Sequence, residues 1–350
     1  MSQNQRCAIS NVDSFLGYNL AYRFLEGRHN EDRGENAKVR LLCRDRRHLE
    51  PLEQLGGEII QVNYQDQNKV REALQDVQYL LFVPENSNER IKEGENIIRA
   101  AKEQKIEYVA MFSMLGVESA QQHRELRHLG EYYQLEQRLR ENFGEEKCCI
   151  IRRPMLAQFF YFMVPMVDDK NVLSLPVQKD KKWGVVDVSD VSEAVYRLSR
   201  ENRGGRFLGP IQKNNKKVFE FTPKRNMNGP EIARAMNKAV EDREIHFEES
   251  KAPEIRKYLQ DIRQDRRFRE RPNEERSKSE RAVRPDRPHH FPLGDHLNDQ
   301  TIDVMIEFWE LANRGQLDII KDDLKQALHR DPQDLNNYFE NNRDNFRRFR

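Results

Sequence analysis

Glycine is scarce where a tight turn would use it. Gly17 is the only glycine among the first twenty-six residues, although "CAISNVDSFLGYNLAYRFLEG" runs from a strand-like start through a polar middle into a helix-like end. No stretch approaches the roughly 20 apolar residues of a membrane span, and the polar opening "MSQNQR" has no apolar segment of the signal-peptide kind. No membrane partner is expected, and the default compartment is the cytosol, with the nucleus also open. Cysteine is sparse: Cys7, Cys43, Cys148 and Cys149 lie in apolar runs without the paired spacing of a metal site or disulfide framework. Reduced, buried core thiols are expected, and no metal site.

The 350 residues can form one large domain or a main domain with a smaller partner. A hydrophobic fraction of 37% and a mean hydropathy of -0.94 are low, yet "YLLFVP" and "CCIIRRPMLAQFFYFMVPMV" can build buried strands. The polarity is therefore concentrated elsewhere. Charge is balanced overall, 60 basic against 59 acidic residues, but 251–290 holds 13 Lys/Arg and 8 Asp/Glu, so a mildly acidic body carries a basic segment.

From residue 6 to residue 153, strand-length apolar runs alternate with helix-period segments, the pattern of βαβ units in a parallel sheet. "RCAISN", "KVRLLCR", "GEIIQVNY", "YLLFVP", "EYVAMFS" and "CCIIRRP" read as six strands. "FLGYNLAYRFLEG", "RIKEGENIIRAAKEQ" and "LGEYYQLEQRLRENFG" read as helices between them. A smaller α/β lobe follows: "WGVVDVSDVSEAVYRLSR" as strand, Asp-rich turn and helix, then "EFTPKRNMNGPEIARAMNKAVEDREIHFEES" as strand, loop, helix and strand. The expected division is a nucleotide-binding core over 1–155, then 156–350 with the C-terminal helices. A mobile charged loop is expected at about 265–292, where there is almost nothing to bury.

In a dinucleotide-binding fold the first strand feeds a turn whose glycines admit the pyrophosphate, which the next helix meets with its amino end. Aligned on Gly17, the turn "SNVDSFLG" has Asn11 and Ser14 at the two earlier glycine positions. Asn tolerates positive φ and Ser is small, so the backbone path stays open. The second strand ends in Arg44, where arginine favours the 2'-phosphate of NADP over the unmodified ribose of NAD.

"CRDRRHLEPLEQLGGEIIQVNYQDQNKVREALQDVQYLLFVP" resembles the NmrA-like family of atypical short-chain dehydrogenases, and "FSMLGVESA", "IIRRPMLAQFF", "WGVVDVSDVSEAV" and "MNGPEIARAMNKAVEDREIHFEE" continue the resemblance in the same order. The terminal "IEFWELANRGQLD" and "LNNYFENNRDNF" resemble the family's closing helices. The resemblance implies an α/β, Rossmann-type doubly wound parallel sheet with a smaller C-terminal α/β lobe. It also implies a dinucleotide cleft lined by Asn11, Ser14, Phe15, Leu16 and Gly17 of the turn, with Arg44, Asp66, Val83, Pro84, Ser113, Tyr132 and Pro154.

The departures concern catalysis. Short-chain dehydrogenases pair a Tyr with a Lys four residues on, whose ammonium lowers the phenol's pKa. None of the 11 tyrosines has that Lys, and where reductase-like relatives carry a Lys four residues before a Glu, Tyr132 precedes Glu136. No catalytic residue is therefore assigned. Three functions remain: an NADP-responsive regulator acting through a protein partner such as a transcription regulator, an NADP-dependent reductase, and a scaffold that has lost its nucleotide. The basic segment interleaves acids and has few aromatics, so direct nucleic-acid binding is not expected. Ser277 and Ser279 could accept phosphate, and Asp187 and Asp190 are expected to anchor a turn and cap the following helix.

Overall fold

Apolar runs flanked by polar turns set the architecture. The computed structural model describes residues 6–31, 38–201, 210–211, 216–240, 244–269, 292–347 and 349. In chain order the first elements are β1 (Arg6–Ile9), α1 (Phe15–Glu31), β2 (Lys38–Cys43), α2 (Glu50–Gln54), β3 (Glu58–Gln61), α3 (Gln67–Ala73), β4 (Tyr79–Phe82) and α4 (Arg90–Glu103). They are followed by β5 (Tyr108–Met114), α5 (Val117–Ala120), α6 (Arg127–Phe143), β6 (Cys148–Arg153), β7 (Met155–Leu156), a 3-10 helix (Ala157–Met163), α7 (Val164–Lys170), β8 (Val172–Leu175), β9 (Val185–Val186) and α8 (Val188–Glu201). The rest comprises β10 (Val218–Glu220), α9 (Gly229–Met236), β11 (His246–Glu249), α10 (Ala252–Ile262), α11 (Arg266–Arg269), α12 (Asp299–Asn313), α13 (Asp323–Leu328), α14 (Leu335–Asn341) and α15 (Arg343–Arg347).

The chain divides into two compact units, one of 1–153 with 191–220, the other of 154–190 with 221–350. A single cut at residue 155 misses this return of 191–220 to the first unit. Two short features cause the difference. The sequence reading begins the smaller lobe's strand at Glu220, but Val218–Glu220 pairs in parallel with Ile150–Arg152 and becomes the seventh strand of the main sheet. Most of α8 also belongs there: Arg23 of α1 meets Glu193 at 2.5 Å, and the Phe24 and Tyr196 rings pack edge-on. A three-residue strand has too little period to reveal its partner.

The first unit holds a seven-stranded sheet in the order β10-β6-β5-β4-β1-β2-β3, every pairing parallel. This is a Rossmann-type α/β fold, with the strand order reversing between β1 and β4. Side chains alternate across the sheet. Ala8, Leu42, Leu80, Phe82, Met111 and Ile150 form one core with Val70 of α3, Ile97 and Ile98 of α4, and Leu135 and Leu139 of α6. Gly94 lets α4 approach α6, since a Cβ there would lie 2.5 Å from Leu135. The four cysteines are buried and free, and burial pushes the thiols of Cys43, Cys148 and Cys149 up to about 12, 11 and 12.

The second unit pairs β8 with β11 and β7 with β9, both in parallel. Phe159, Phe160, Trp183, Phe308, Trp309 and Phe339 are buried together in its core. Asn228 and Glu231 form a reciprocal capping box on α9. Asp187 accepts from the Ser189 N–H at 2.7 Å, the role read from the Asp-rich turn, whereas Asp190 accepts from the Gln333 N–H at 2.7 Å and so holds a distant segment instead of its own turn. Of the charged loop expected at 265–292, residues 266–269 form α11, while 270–291, with Ser277, Ser279, His289 and His290, lie outside the described residues.

Candidate functional site

The turn after β1 runs from Ser10 to Gly17 with only one glycine. Asn11 has φ +53, a conformation that Asn reaches more readily than most residues. Its N–H donates to the Tyr64 hydroxyl at 3.0 Å and its side-chain amide to the Pro84 carbonyl at 3.2 Å. Gly17 is sterically required: a Cβ there would lie 2.0 Å from the Asn11 carbonyl oxygen. Ser14 caps the helix. Its hydroxyl donates to the Asn11 carbonyl at 2.7 Å and accepts from the Gly17 N–H at 3.1 Å, so one amide of the α1 amino end already has an acceptor.

Strand β4 is tied to the same turn, because Ser10 Oγ accepts from the Val83 N–H at 2.9 Å and donates to the Val83 carbonyl at 3.1 Å. Asn11, Ser14, Phe15, Leu16, Gly17, Val83 and Pro84 thus meet at the carboxyl ends of β1 and β4. Arg44 joins them from the end of β2, where its N–H donates to Asp13 Oδ2 at 3.0 Å. Its guanidinium is engaged from within: Nη2 lies 3.0 Å from Glu93 Oε1 and 3.4 Å from Glu85 Oε2.

Asp13, Tyr64, Glu85 and Glu93 adjoin the candidate site, and the sequence reading missed them. Asp13 stands inside the quoted turn, and an acid in a loop expected to face a pyrophosphate was the available signal. Asp13 Oδ2 also accepts the Asp45 N–H at 2.9 Å, so it occupies backbone donors at the end of β2. Burial, then the neighbouring Asp13 charge, pushes the Glu85 carboxyl well above the usual carboxylate range, against the pull of Arg44. Burial likewise raises Asp13.

The remaining predicted residues are placed as follows. Asp66 is exposed and caps α3, its Oδ1 accepting from the Asn68 and Lys69 N–H groups at 3.0 and 3.2 Å. From the same loop it is Tyr64 that reaches the turn. Ser113 is buried in β5 with no hydrogen-bond partner for its hydroxyl. Tyr132 on α6 donates to Asn86 Oδ1 at 3.0 Å, and the Arg90 guanidinium lies 4.6 Å from its ring centroid. Arg90 is wholly buried and also donates to the Glu85 and His128 carbonyls and to Glu131 Oε2, tying the β4–α4 loop to α6. Pro154 is buried and begins the second unit. Among the described residues no group of three or more His, Cys, Asp or Glu could hold a metal, and no helix is long and apolar enough to cross a membrane.

A parallel sheet in this order, with a helix-capped turn at its switch point, defines the Rossmann-type class. Residues 28–265 match the NmrA-like family, and the chain belongs to that family. Among the solved structures that share the fold are the following three. The nucleoside-diphosphate-sugar epimerase of Staphylococcus aureus has 14% identity and a TM-score of 0.67, over 96% of this chain and 100% of that one. The NADPH-dependent quinone oxidoreductase of Escherichia coli has 15% identity and a TM-score of 0.66, over 95% and 98%. The triphenylmethane reductase of Citrobacter sp., solved with NADP(H), has 12% identity and a TM-score of 0.68, over 96% and 99%. No curated protein is similar enough in sequence to be matched.

Proposed function

We propose that this NmrA-like chain is an NADP-responsive regulatory protein without dehydrogenase activity, which acts through a protein partner such as a transcription regulator, in the cytosol or nucleus. The carrying observation is the state of Tyr132. Its hydroxyl donates to Asn86 beneath a buried arginine, and no Lys follows at an offset of four. Acid–base help of this kind typically contributes about 10²–10⁴ in rate, so a bound dinucleotide would stay almost idle. The turn from Asn11 to Gly17 would receive the pyrophosphate and Arg44 the 2'-phosphate, with Val83, Pro84 and Ser113 along the cleft. NADPH and NADP(H) in the descriptions of the Escherichia coli and Citrobacter proteins support a dinucleotide as ligand.

Calorimetric titration with NADPH and NADH, beside NADPH oxidation across quinones, aldehydes and enones, tests this reading. Binding with preference for NADPH and no turnover is expected. Arg44→Ala should cut that preference tenfold or more, since a charge-assisted phosphate contact is worth about 1.5–3 kcal/mol. Robust turnover lost in Tyr132→Phe would replace the regulator with a reductase. A second reading, a scaffold without nucleotide, is favoured by the carboxylates around Arg44, and absence of binding at any pH would select it.

A further inference from the structure

The predicted phosphate anchor already holds an anion of the protein's own. Arg44 is gripped by Glu93 and Glu85 at 3.0 and 3.4 Å, and Asp13 takes the N–H groups of Arg44 and Asp45. The grip is built. The Glu93 side chain is 2% exposed, its Oε2 accepting from Ser87 Oγ at 2.5 Å, and the Glu85 side chain is 10% exposed. Glu85 Oε1 and Asp13 Oδ1 are buried without a hydrogen-bond partner.

We propose that Glu85 and Glu93 are intramolecular competitors for Arg44, so that a ligand phosphate takes the Nη2 edge of its half-exposed guanidinium by displacing them, with uptake of a proton by the carboxylate cluster. This rests on the dinucleotide reading above. A phosphate brought to the half-exposed Arg44 would face Asp13, Glu85 and Glu93, whose largely buried carboxylates repel a like charge more than they would in water. Neutralising one carboxyl relieves that repulsion.

Glu85 is the group placed to take the proton. Facing it are Asp13 from the β1–α1 turn, Cys43 and Arg44 from the end of β2, Tyr64 after β3, and Arg90 and Glu93 from α4. Only Arg44 and Arg90 are cationic, and Arg90 already pairs with Glu131 at 2.7 Å. Burial and Asp13 raise the Glu85 carboxyl while Arg44 lowers it, so a phosphate that takes the Arg44 contact removes the cation that favours ionised Glu85. The subsite therefore reads phosphate and proton together, which makes dinucleotide occupancy sensitive to pH.

Calorimetry with NADP⁺ and NAD⁺ between pH 6.5 and 8.5, above the phosphate's own second ionisation near about 6, tests the inference. Repeating it in buffers of different ionisation enthalpy counts the protons directly. Wild type should take up protons with NADP⁺, its Kd weakening as pH rises, by linkage. Uptake with NAD⁺, which has no 2'-phosphate, should be much smaller. Glu85→Gln with Glu93→Gln should bind NADP⁺ at least about tenfold tighter at pH 8 and lose the pH dependence. NADP⁺ binding with no proton uptake by wild type overturns the inference and leaves the dinucleotide reading standing, and needs no variant to fold. No NADP⁺ binding by wild type at pH 6.5, nor by the double variant, overturns both.

Discussion

At the scale of single residues, the site substitutes other chemistry for glycine. Two of three glycine positions carry Asn11 and Ser14, and the turn holds because Asn11 adopts φ +53 and Ser14 supplies a helix cap. The third position is not substitutable. Gly17→Ala would drive a Cβ to 2.0 Å from the Asn11 carbonyl oxygen, a backbone atom that cannot rotate away. The expected loss is about 1–3 kcal/mol or more, read as a lower urea midpoint at unchanged slope. Wild-type stability in that variant would mean that the turn does not take this path. The letters "SNVDSFLG" disclosed the turn but not its occupants, because Glu85 and Glu93 lie more than forty residues beyond Arg44 and only folding brings them to it.

At the scale of elements, the start of α8 contains a titratable defect. Asp187 caps the helix and accepts from Gln158 Nε2 at 3.0 Å, but its Oδ2 is buried without a partner. Burial, then the charge of Asp190, raises its carboxyl from 3.8 to about 6. Between those values the folded chain binds the proton and the unfolded chain releases it, so this group's contribution to stability falls as pH rises from about 4 to about 6. The loss is on the order of 2–3 kcal/mol. Asp187→Asn keeps the accepting oxygen and removes the titration, so the difference between wild-type and variant unfolding free energies should change across that window. A constant difference from pH 4 to pH 7 would refute the assignment. The capping role was legible in "VDVSD", whereas the shifted ionisation depends on burial that no local pattern reports.

For the whole molecule, a ligand that binds the native state alone stabilises it by mass action, about 2.7 kcal/mol at a free concentration one hundred times Kd. NADPH should therefore raise the thermal midpoint followed by circular dichroism, and continue to raise it with each tenfold increase in concentration. The rise should be larger at pH 6.5 than at pH 8.5. An equal rise with NADH at both pH values would remove any role for the 2'-phosphate in recognition.

Sequence alone determined the alternation of strand and helix, the six strands from β1 to β6, the reduced core cysteines and the family, because each is written in local periodicity, local composition or the order of local segments. It also exposed the missing Tyr–Lys pair, a matter of spacing along one helix. Tertiary structure decided the rest. It moved Val218–Glu220 to the edge of the main sheet, returned most of α8 to the first unit, gave Tyr132 its partner Asn86, and closed Glu85 and Glu93 on Arg44. These are contacts between segments far apart in the chain. Their energies depend on distance and desolvation in the folded state, which residue identity does not encode by itself.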